Sequence, residues 1–124
     1  MKGDDLGVRV VRWEEVPPIP LPGHSWSRLL LTAATAGAGA SMLGLSTFTP
    51  GTRTPRKVHQ TEELCYILSG EGELDLPGAP VSYRAGMAFR VPPGVPHGVV
   101  NTGTTDLVMV FVFPYPDYPP TRDG

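Results

Sequence analysis

Short apolar runs separated by glycine and proline are the feature that most restricts the fold of this chain. The 124 residues include 15 glycines and 15 prolines, which fall between the apolar runs instead of forming tracts. Turn residues at such spacing are typical of an all-β domain. No long window shows the periodicity of a helix. We therefore predict one domain over residues 1–124, built as a sandwich, jelly roll or small barrel.

The apolar runs predict strands at residues 8–13, 27–32, 41–48, 63–69, 72–76, 81–84, 87–91, 97–101 and 107–113. The second run could also begin a helix, since "SRLLLTAATA" contains good helix formers, but the glycines that follow it favour a strand. Proline-rich arms with aromatic residues flank the strands at both ends of the chain. Proline favours extended backbone, so we expect both arms to lie along a surface.

Composition argues against several classes of protein. The formal net charge is -2 and no cluster of lysine and arginine occurs, so nothing indicates a nucleic-acid or anionic-membrane partner. Residues 29–52 carry no charge, but their glycines, serines and threonines favour two strands and a connection over a membrane span. Two aspartates near the start argue against an export signal, so we expect a cytoplasmic protein. The single cysteine, Cys65, cannot form an intramolecular disulfide.

A first polar stretch, residues 51–70, reads "GTRTPRKVHQTEELCYILSG". The two-residue alternation of a strand puts Lys57 and His59 on one face, and Glu63, Cys65 and Ile67 on one face of the next strand. The neighbouring Glu62 points to the opposite face, where we expect it in solvent.

A second polar stretch, residues 86–101, reads "GMAFRVPPGVPHGVVN". Pro92 and Gly94 predict a sharp reversal, after which His97 opens a strand with Asn101 on its own face. If the faces of the two stretches point into one barrel, His97 can converge with the histidine and the glutamate of the first stretch.

Together the two stretches resemble the two sequence motifs of the cupin family. The first motif holds a glycine, two histidines, a glutamate and a glycine; the second holds glycine, proline, glycine, histidine and asparagine. The chain matches every one of these positions except one, because Lys57 stands where cupins usually have their first histidine. The resemblance implies a β jelly-roll barrel, also called a double-stranded β-helix, which is often a homodimer.

The resemblance also implies a metal site. His59, Glu63 and His97 match the family's remaining metal ligands. Two imidazoles and a carboxylate can hold one divalent ion, either Fe, Zn, Mn, Ni or Co. An iron ion would support oxygen activation, whereas a redox-inert ion would act as a Lewis acid.

Lys57 has two interpretations. It either blocks the position of a lost ligand and extends to solvent, or it is a catalytic residue beside the metal, acting as a base, a carboxylate-binding group or a Schiff-base amine. Cys65, Phe89 and Asn101 are candidate substrate-binding residues, although a lone cysteine is usually a small buried residue and Asn101 could instead secure the turn.

Two classes of function follow from these residues. The first is a metal-dependent enzyme acting on a small organic substrate inside the barrel, either with oxygen or as a redox-neutral isomerase, cyclase or decarboxylase, like the small cupin polyketide cyclases and isomerases. The second is a non-catalytic cupin that binds a small molecule. The loss of one histidine favours the second class, and the presence of the other three ligands favours the first.

Overall fold

The computed structural model describes residues 3–124 of the chain. It contains eleven strands, one short helix and three 3-10 turns. The strands are β1 (Ile19–Leu21), β2 (Ser25–Leu31), β3 (Met42–Phe48), β4 (Lys57–His59), β5 (Glu63–Ser69), β6 (Glu71–Asp75), β7 (Val81–Arg84), β8 (Ala88–Val91), β9 (Gly98–Asn101), β10 (Leu107–Phe113) and β11 (Thr121–Asp123). The helix α1 is Ala33–Ala36, and the 3-10 turns are Gly3–Leu6, Trp13–Glu15 and Pro22–His24.

The strands form a double-stranded β-helix, as the sequence predicts. One sheet has six strands in the order β1-β2-β3-β10-β5-β8, and every neighbouring pair in it is antiparallel. A three-stranded sheet, β7-β6-β9, and the pair β11-β4 make up the other side. Single β-bridges at Arg53–Val100 and Lys57–His97 join the segment that contains β4 to the segment that contains β9.

The core lies between the two sides of the barrel. Ile67, Leu107 and Phe113 are its most deeply buried side chains, contributed by β5 and β10. Gly70, the last glycine of the first polar stretch, has a positive φ of 86°, and a Cβ there would lie 2.5 Å from the carbonyl oxygen of Asp106. Only glycine fits this tight passage from β5 to β6.

Most predicted strands are confirmed to within one or two residues, with one exception. The strand predicted at residues 8–13 is wrong: residues 8–12 have no regular structure and Trp13 begins a 3-10 turn. The Arg28 side chain donates hydrogen bonds to the carbonyl oxygens of Trp13 and Val16 and stacks on the Trp13 ring. These contacts hold residues 13–16 beside β2, and residues 8–12 belong to none of the strands within residues 3–124.

The uncharged segment 29–52 contains the end of β2, the helix α1 and strand β3, which confirms two strands and a connection. The strand alternative for the run at 27–32 is therefore the correct one. No helix within residues 3–124 has the length and apolar character needed to cross a membrane.

Candidate functional site

The two sides of the barrel enclose a cavity of about 350 Å³. Its wall is mostly apolar, with Phe48, Met109 and Phe111 among its larger side chains. The ionisable side chains on the wall are few and concentrated at one end. They are Lys57, His59, Glu63, Cys65, His97 and Tyr118. A concave, largely apolar site with a few convergent polar groups is the usual form of a small-molecule pocket.

His59, Glu63 and His97 converge in this cavity, as the sequence predicts. The Nε2 atom of His97 lies 3.0 Å from Glu63 Oε1, and the Nε2 atom of His59 lies 3.5 Å from the same oxygen. One nitrogen or oxygen from each of the three residues lies within 4.8 Å of the others. Both imidazoles are buried, and Glu63 is nearly so, at 13% exposure of its side chain.

Backbone contacts bring the three residues together from distant parts of the chain. Lys57 and His97 exchange backbone hydrogen bonds of 2.9 and 3.1 Å, which aligns the start of β4 with the start of β9. The Gly94 amide donates to the carbonyl oxygen of His59 at 3.0 Å. Glu63 opens β5 opposite Val91, directly before the Pro-Pro-Gly turn. The turn of the second polar stretch thus packs against the first polar stretch and brings His97 close to His59 and Glu63.

Hydrogen bonds at the far side of each ring define which nitrogen carries a proton. His97 Nδ1 lies 2.9 Å from the carbonyl oxygen of Val95, and a carbonyl only accepts, so Nδ1 is the donor. His59 Nδ1 lies 2.7 Å from Thr121 Oγ1, whose own hydrogen is donated to the Pro119 carbonyl oxygen at 2.8 Å. His59 Nδ1 must therefore donate to the threonine. In the neutral rings both Nε2 atoms then turn a lone pair toward Glu63.

The C-terminal arm returns across this end of its own barrel. Strand β11 pairs antiparallel with β4, which places Thr121 opposite His59 and Asp123 opposite Lys57. The Tyr118 ring packs edge-on to the His59 ring at 5.6 Å and lines the cavity. The expectation that the arm lies along a surface is confirmed, and that surface is the mouth of the cavity.

Lys57 lines the cavity with its side chain, but its ammonium reaches the rim. Nζ lies 2.5 Å from Asp123 Oδ1, and the lysine side chain is 42% exposed. The hydrogen bond from the Lys57 ammonium, and after it the positive charge of that ammonium, lower the pKa of the Asp123 carboxyl below its ordinary value. The ion pair that Lys57 forms within residues 3–124 is thus with the C-terminal strand and not with Glu63.

The other candidate residues differ in position. Cys65 and Phe89 both line the cavity. Burial and the nearby Glu63 carboxylate raise the pKa of the Cys65 thiol well above its ordinary value, so it stays a thiol. Asn101 is not on the cavity wall: its amide donates to the carbonyl oxygens of Phe48 and Thr105 and accepts from the Gly103 amide. Those three hydrogen bonds fix the Asn101 side chain between the end of β3 and the loop after β9.

Glu62 lies outside the site, as predicted, and its carboxylate pairs with Arg90 at 2.6 Å on the surface. The sequence prediction missed Thr121 and Asp123, because the three residues of β11 after a pair of prolines give no recognisable strand pattern. It also missed Tyr118, which lies in the proline-rich segment before that strand. It also missed the serines on the cavity wall, Ser27 and Ser46. Their signal was present, because alternation along β3 places Ser46 on the same face as the buried Met42 and Phe48.

Comparison with known families agrees with this geometry. The family described as "Cupin domain" matches residues 44–113, which contain both polar stretches. The chain is a cupin. It is 36% identical to Protein SchB of Streptomyces halstedii, over 83% of this chain and 75% of that protein. It is 34% identical to the polyketide synthase CurC of Streptomyces cyaneus, over 87% of this cupin and 70% of CurC.

A solved structure extends the likeness to three dimensions. The polyketide cyclase RemF from Streptomyces resistomycificus superposes with a TM-score of 0.80 at 27% identity, covering 94% of this cupin and 84% of that chain. A relative of another kind is auxin-binding protein 1 of Arabidopsis thaliana, 35% identical over 77% of this cupin. The matched region spans about half of that plant protein, 56%.

The interaction between the Glu63 carboxylate and His97 predicts that the stability of the protein depends on pH when a chelator keeps it free of metal. Burial acts to raise the pKa of Glu63, but hydrogen bonds from His59 and His97 outweigh it and lower that pKa. Burial acts to lower the pKa of His97, but the Glu63 carboxylate and the Val95 carbonyl outweigh it and raise that pKa. Stabilisation from Glu63 is therefore lost as pH falls through its lowered pKa. Stabilisation from His97 is lost as pH rises above about 6.5.

We expect the free energy of unfolding, measured in urea from pH 4 to 9, to be highest in the mildly acidic range and to decline above about pH 6.5. The substitution Glu63→Gln removes the partner of His97 and should flatten the alkaline decline. The substitution His24→Ala, at an exposed histidine outside the site, should leave it unchanged. A wild-type stability that is constant from pH 6 to 9 would contradict this account.

Proposed function

We propose that this cupin is a metal-dependent enzyme that binds one divalent ion through His59, Glu63 and His97. The observation that carries the proposal is the convergence of one possible ligand atom from each residue within 4.8 Å of the others. Both histidines use Nδ1 as a donor to fixed acceptors, so both Nε2 atoms and the Glu63 carboxylate present acceptors to one point. Acceptors that face each other in a buried site repel unless a proton or a metal cation lies between them. Two imidazoles and a carboxylate form a donor set suited to Fe, Zn, Mn, Ni or Co.

The chemistry that such an ion supplies when bound is the polarisation of a carbonyl or hydroxyl oxygen, or in the case of iron the activation of oxygen. The residues of the chain contribute the rest of the site. The Thr121 hydroxyl and the Val95 carbonyl fix the orientation of the two imidazoles, as outer partners of metal ligands commonly do. The apolar wall excludes water from a substrate that enters the barrel.

A redox-neutral cyclisation of a polyketide is the reaction that the relatives support best. RemF is named a polyketide cyclase and CurC a polyketide synthase. We propose an intramolecular condensation, in which a carbon–carbon bond forms between an enol carbon and a carbonyl carbon and water leaves. This reaction consumes no oxygen, so an oxygen electrode separates it from the oxygen-dependent alternative during turnover.

A non-catalytic binding protein is the second candidate. Lys57 replaces one histidine of the family motif, and the plant relative is named for binding auxin. Under this hypothesis the cavity binds a small molecule without converting it. Stoichiometric metal without any turnover would favour this second candidate.

The metal proposal predicts one equivalent of a transition metal in protein purified without chelator, measured by elemental analysis. His59→Ala and Glu63→Gln each remove a ligand, so both should lose most of that metal. His24→Ala is the matched control, because it removes the remaining histidine of the chain at an exposed position away from the cavity. Equal metal contents in the wild type and in both ligand variants would refute the site.

The role of Lys57 can be separated into a catalytic and an anchoring part. Lys57→Met removes the ammonium, whereas Asp123→Asn keeps it and removes only its partner in β11. If Lys57 transfers a proton to the substrate, Lys57→Met should lower kcat by about 100-fold or more while Asp123→Asn retains most of it. Metal content should stay unchanged in both variants.

An equal loss of kcat in the two variants would instead assign Lys57 to anchoring the C-terminal strand. Thermal unfolding provides the independent readout of anchoring. The ion pair is largely exposed, so its loss should change the free energy of unfolding little.

We also propose that the protein is a homodimer through the outer face of the six-stranded sheet. Leu64, Tyr66 and Leu68 of β5 are 44–50% exposed and lie beside the outward valines of β10. Such a continuous apolar face on a sheet is typical of an interface.

Light scattering should therefore give about twice the 13.3 kDa of the chain. Tyr66→Glu places a charge at the centre of this face and should yield monomers. Val81→Glu introduces the same charge at an exposed valine of β7, on the other side of the barrel, and should leave the dimer intact. A monomeric wild type would overturn the proposal.

A further inference from the structure

Two serine hydroxyls face each other on the apolar wall of the cavity, on strands that do not contribute to the metal site. Ser27 of β2 and Ser46 of β3 are direct cross-strand partners, and their Oγ atoms lie 2.7 Å apart. Both line the cavity, and Ser46 is only 4% exposed. Their neighbours on the wall include Phe48 and Met109, which offer no hydrogen bonds.

Counting hydrogens shows that the serine pair is not saturated. Two hydroxyls carry two hydrogens, and only one hydrogen can lie between the two oxygens. Within residues 3–124, neither Oγ atom makes another hydrogen bond. One hydroxyl hydrogen is therefore left to donate into the cavity. A hydroxyl donor without an acceptor on an apolar wall is unfavourable, so the pair favours a ligand that brings an acceptor.

The charges around the cavity narrow the class of ligand. The cation on the wall is Lys57, and its ammonium is paired with Asp123 at the rim. Nothing near the serines would neutralise a carboxylate or a phosphate. The acceptor that suits them is an uncharged oxygen, such as a ketone or quinone carbonyl, on a mostly apolar molecule.

The position of the pair sets the span of the ligand. Ser46 is on β3 and Glu63 on β5, with β10 between them. Ser46 lies level with Ile67 of β5 through Met109, so Glu63 is two strand spacings across the sheet and four residues along it, about 10 Å and about 13 Å. A ligand that touches the serines with one oxygen and the histidines with its other end is therefore an extended molecule of several fused rings.

We propose that Ser27 and Ser46 form a second polar subsite, which donates a hydrogen bond to a carbonyl oxygen of a neutral, mostly apolar ring compound. The proposal rests on the function proposed above for the end of the ligand that reacts. Binding at the serines themselves requires no metal, so it is tested on protein stripped with a chelator.

The test compares two probes that differ by one oxygen, 1-tetralone, which carries a carbonyl, and tetralin, which lacks it. Binding is measured by titration with backbone amide NMR spectra. We expect 1-tetralone to bind about 2- to 10-fold more tightly, the range that one neutral hydrogen bond provides, and to shift the amide signals of β2 and β3. The double substitution Ser27→Ala with Ser46→Ala should abolish this preference, because it removes both hydroxyls and leaves neither unpaired.

Ser82→Ala, at an exposed serine of β7, is the matched control and should preserve the preference for 1-tetralone. Equal dissociation constants for the two probes in the wild type, or no shift of β2 and β3 at millimolar 1-tetralone, would overturn the subsite. The subsite and the proposed enzyme fail separately. Loss of the preference alongside normal metal content refutes only the serines, whereas absence of metal alongside an intact preference refutes only the metal site.

Discussion

The buried carboxylate of Glu63 is the constraint on which the rest of the site depends. An ionised carboxylate inside an apolar barrel is stable only if opposite charge or hydrogen bonds compensate for its lost hydration. The two histidines provide that compensation, one at 3.0 Å and the other at 3.5 Å from Oε1. Hydrogen bonds from the histidines outweigh burial and lower the pKa of Glu63, and the Glu63 carboxylate in turn helps to raise the pKa of His97. A divalent ion held by the three side chains would satisfy all of them at once.

The architecture supports this carboxylate through the backbone. The bridge between Lys57 and His97 sets two segments 40 residues apart in the chain at one end of the barrel. Strand β11 then adds the Thr121 hydroxyl, which fixes the ring of His59. The last residues of the chain are thus part of the site, although none of them is an expected ligand. A substitution in the C-terminal arm would act on His59 through its orientation and not through its chemistry.

Most of the strands could be predicted from the sequence because they depend on local patterns, whereas the barrel and the convergence of His59, Glu63 and His97 were implied by the resemblance to the cupin motifs. Two-residue alternation reports which side of a strand is buried, and the turn residues report where each strand ends. The failures are all non-local. Residues 8–12 alternate like a strand yet belong to none of the strands within residues 3–124, and the segment that follows them is held by the Arg28 side chain, which donates to the carbonyls of Trp13 and Val16. Strand β11 has no pattern of its own and exists because β4 offers an unpaired edge.

The same distinction explains why the position of Lys57 was predictable and its environment was not. Alternation places Lys57 and His59 on one face, and both do line the cavity. The Lys57 ammonium, however, pairs with Asp123 at the rim, so the positive charge of the lysine does not lie inside the cavity. Within residues 3–124, the other ionisable groups at this end of the cavity wall include the two histidines and Glu63. The uncharged polar groups on the wall include the hydroxyls of Ser27 and Ser46, the Tyr118 phenol and the Cys65 thiol. A cavity of this kind suits neutral, largely apolar molecules better than anions, because its one lysine is paired at the rim.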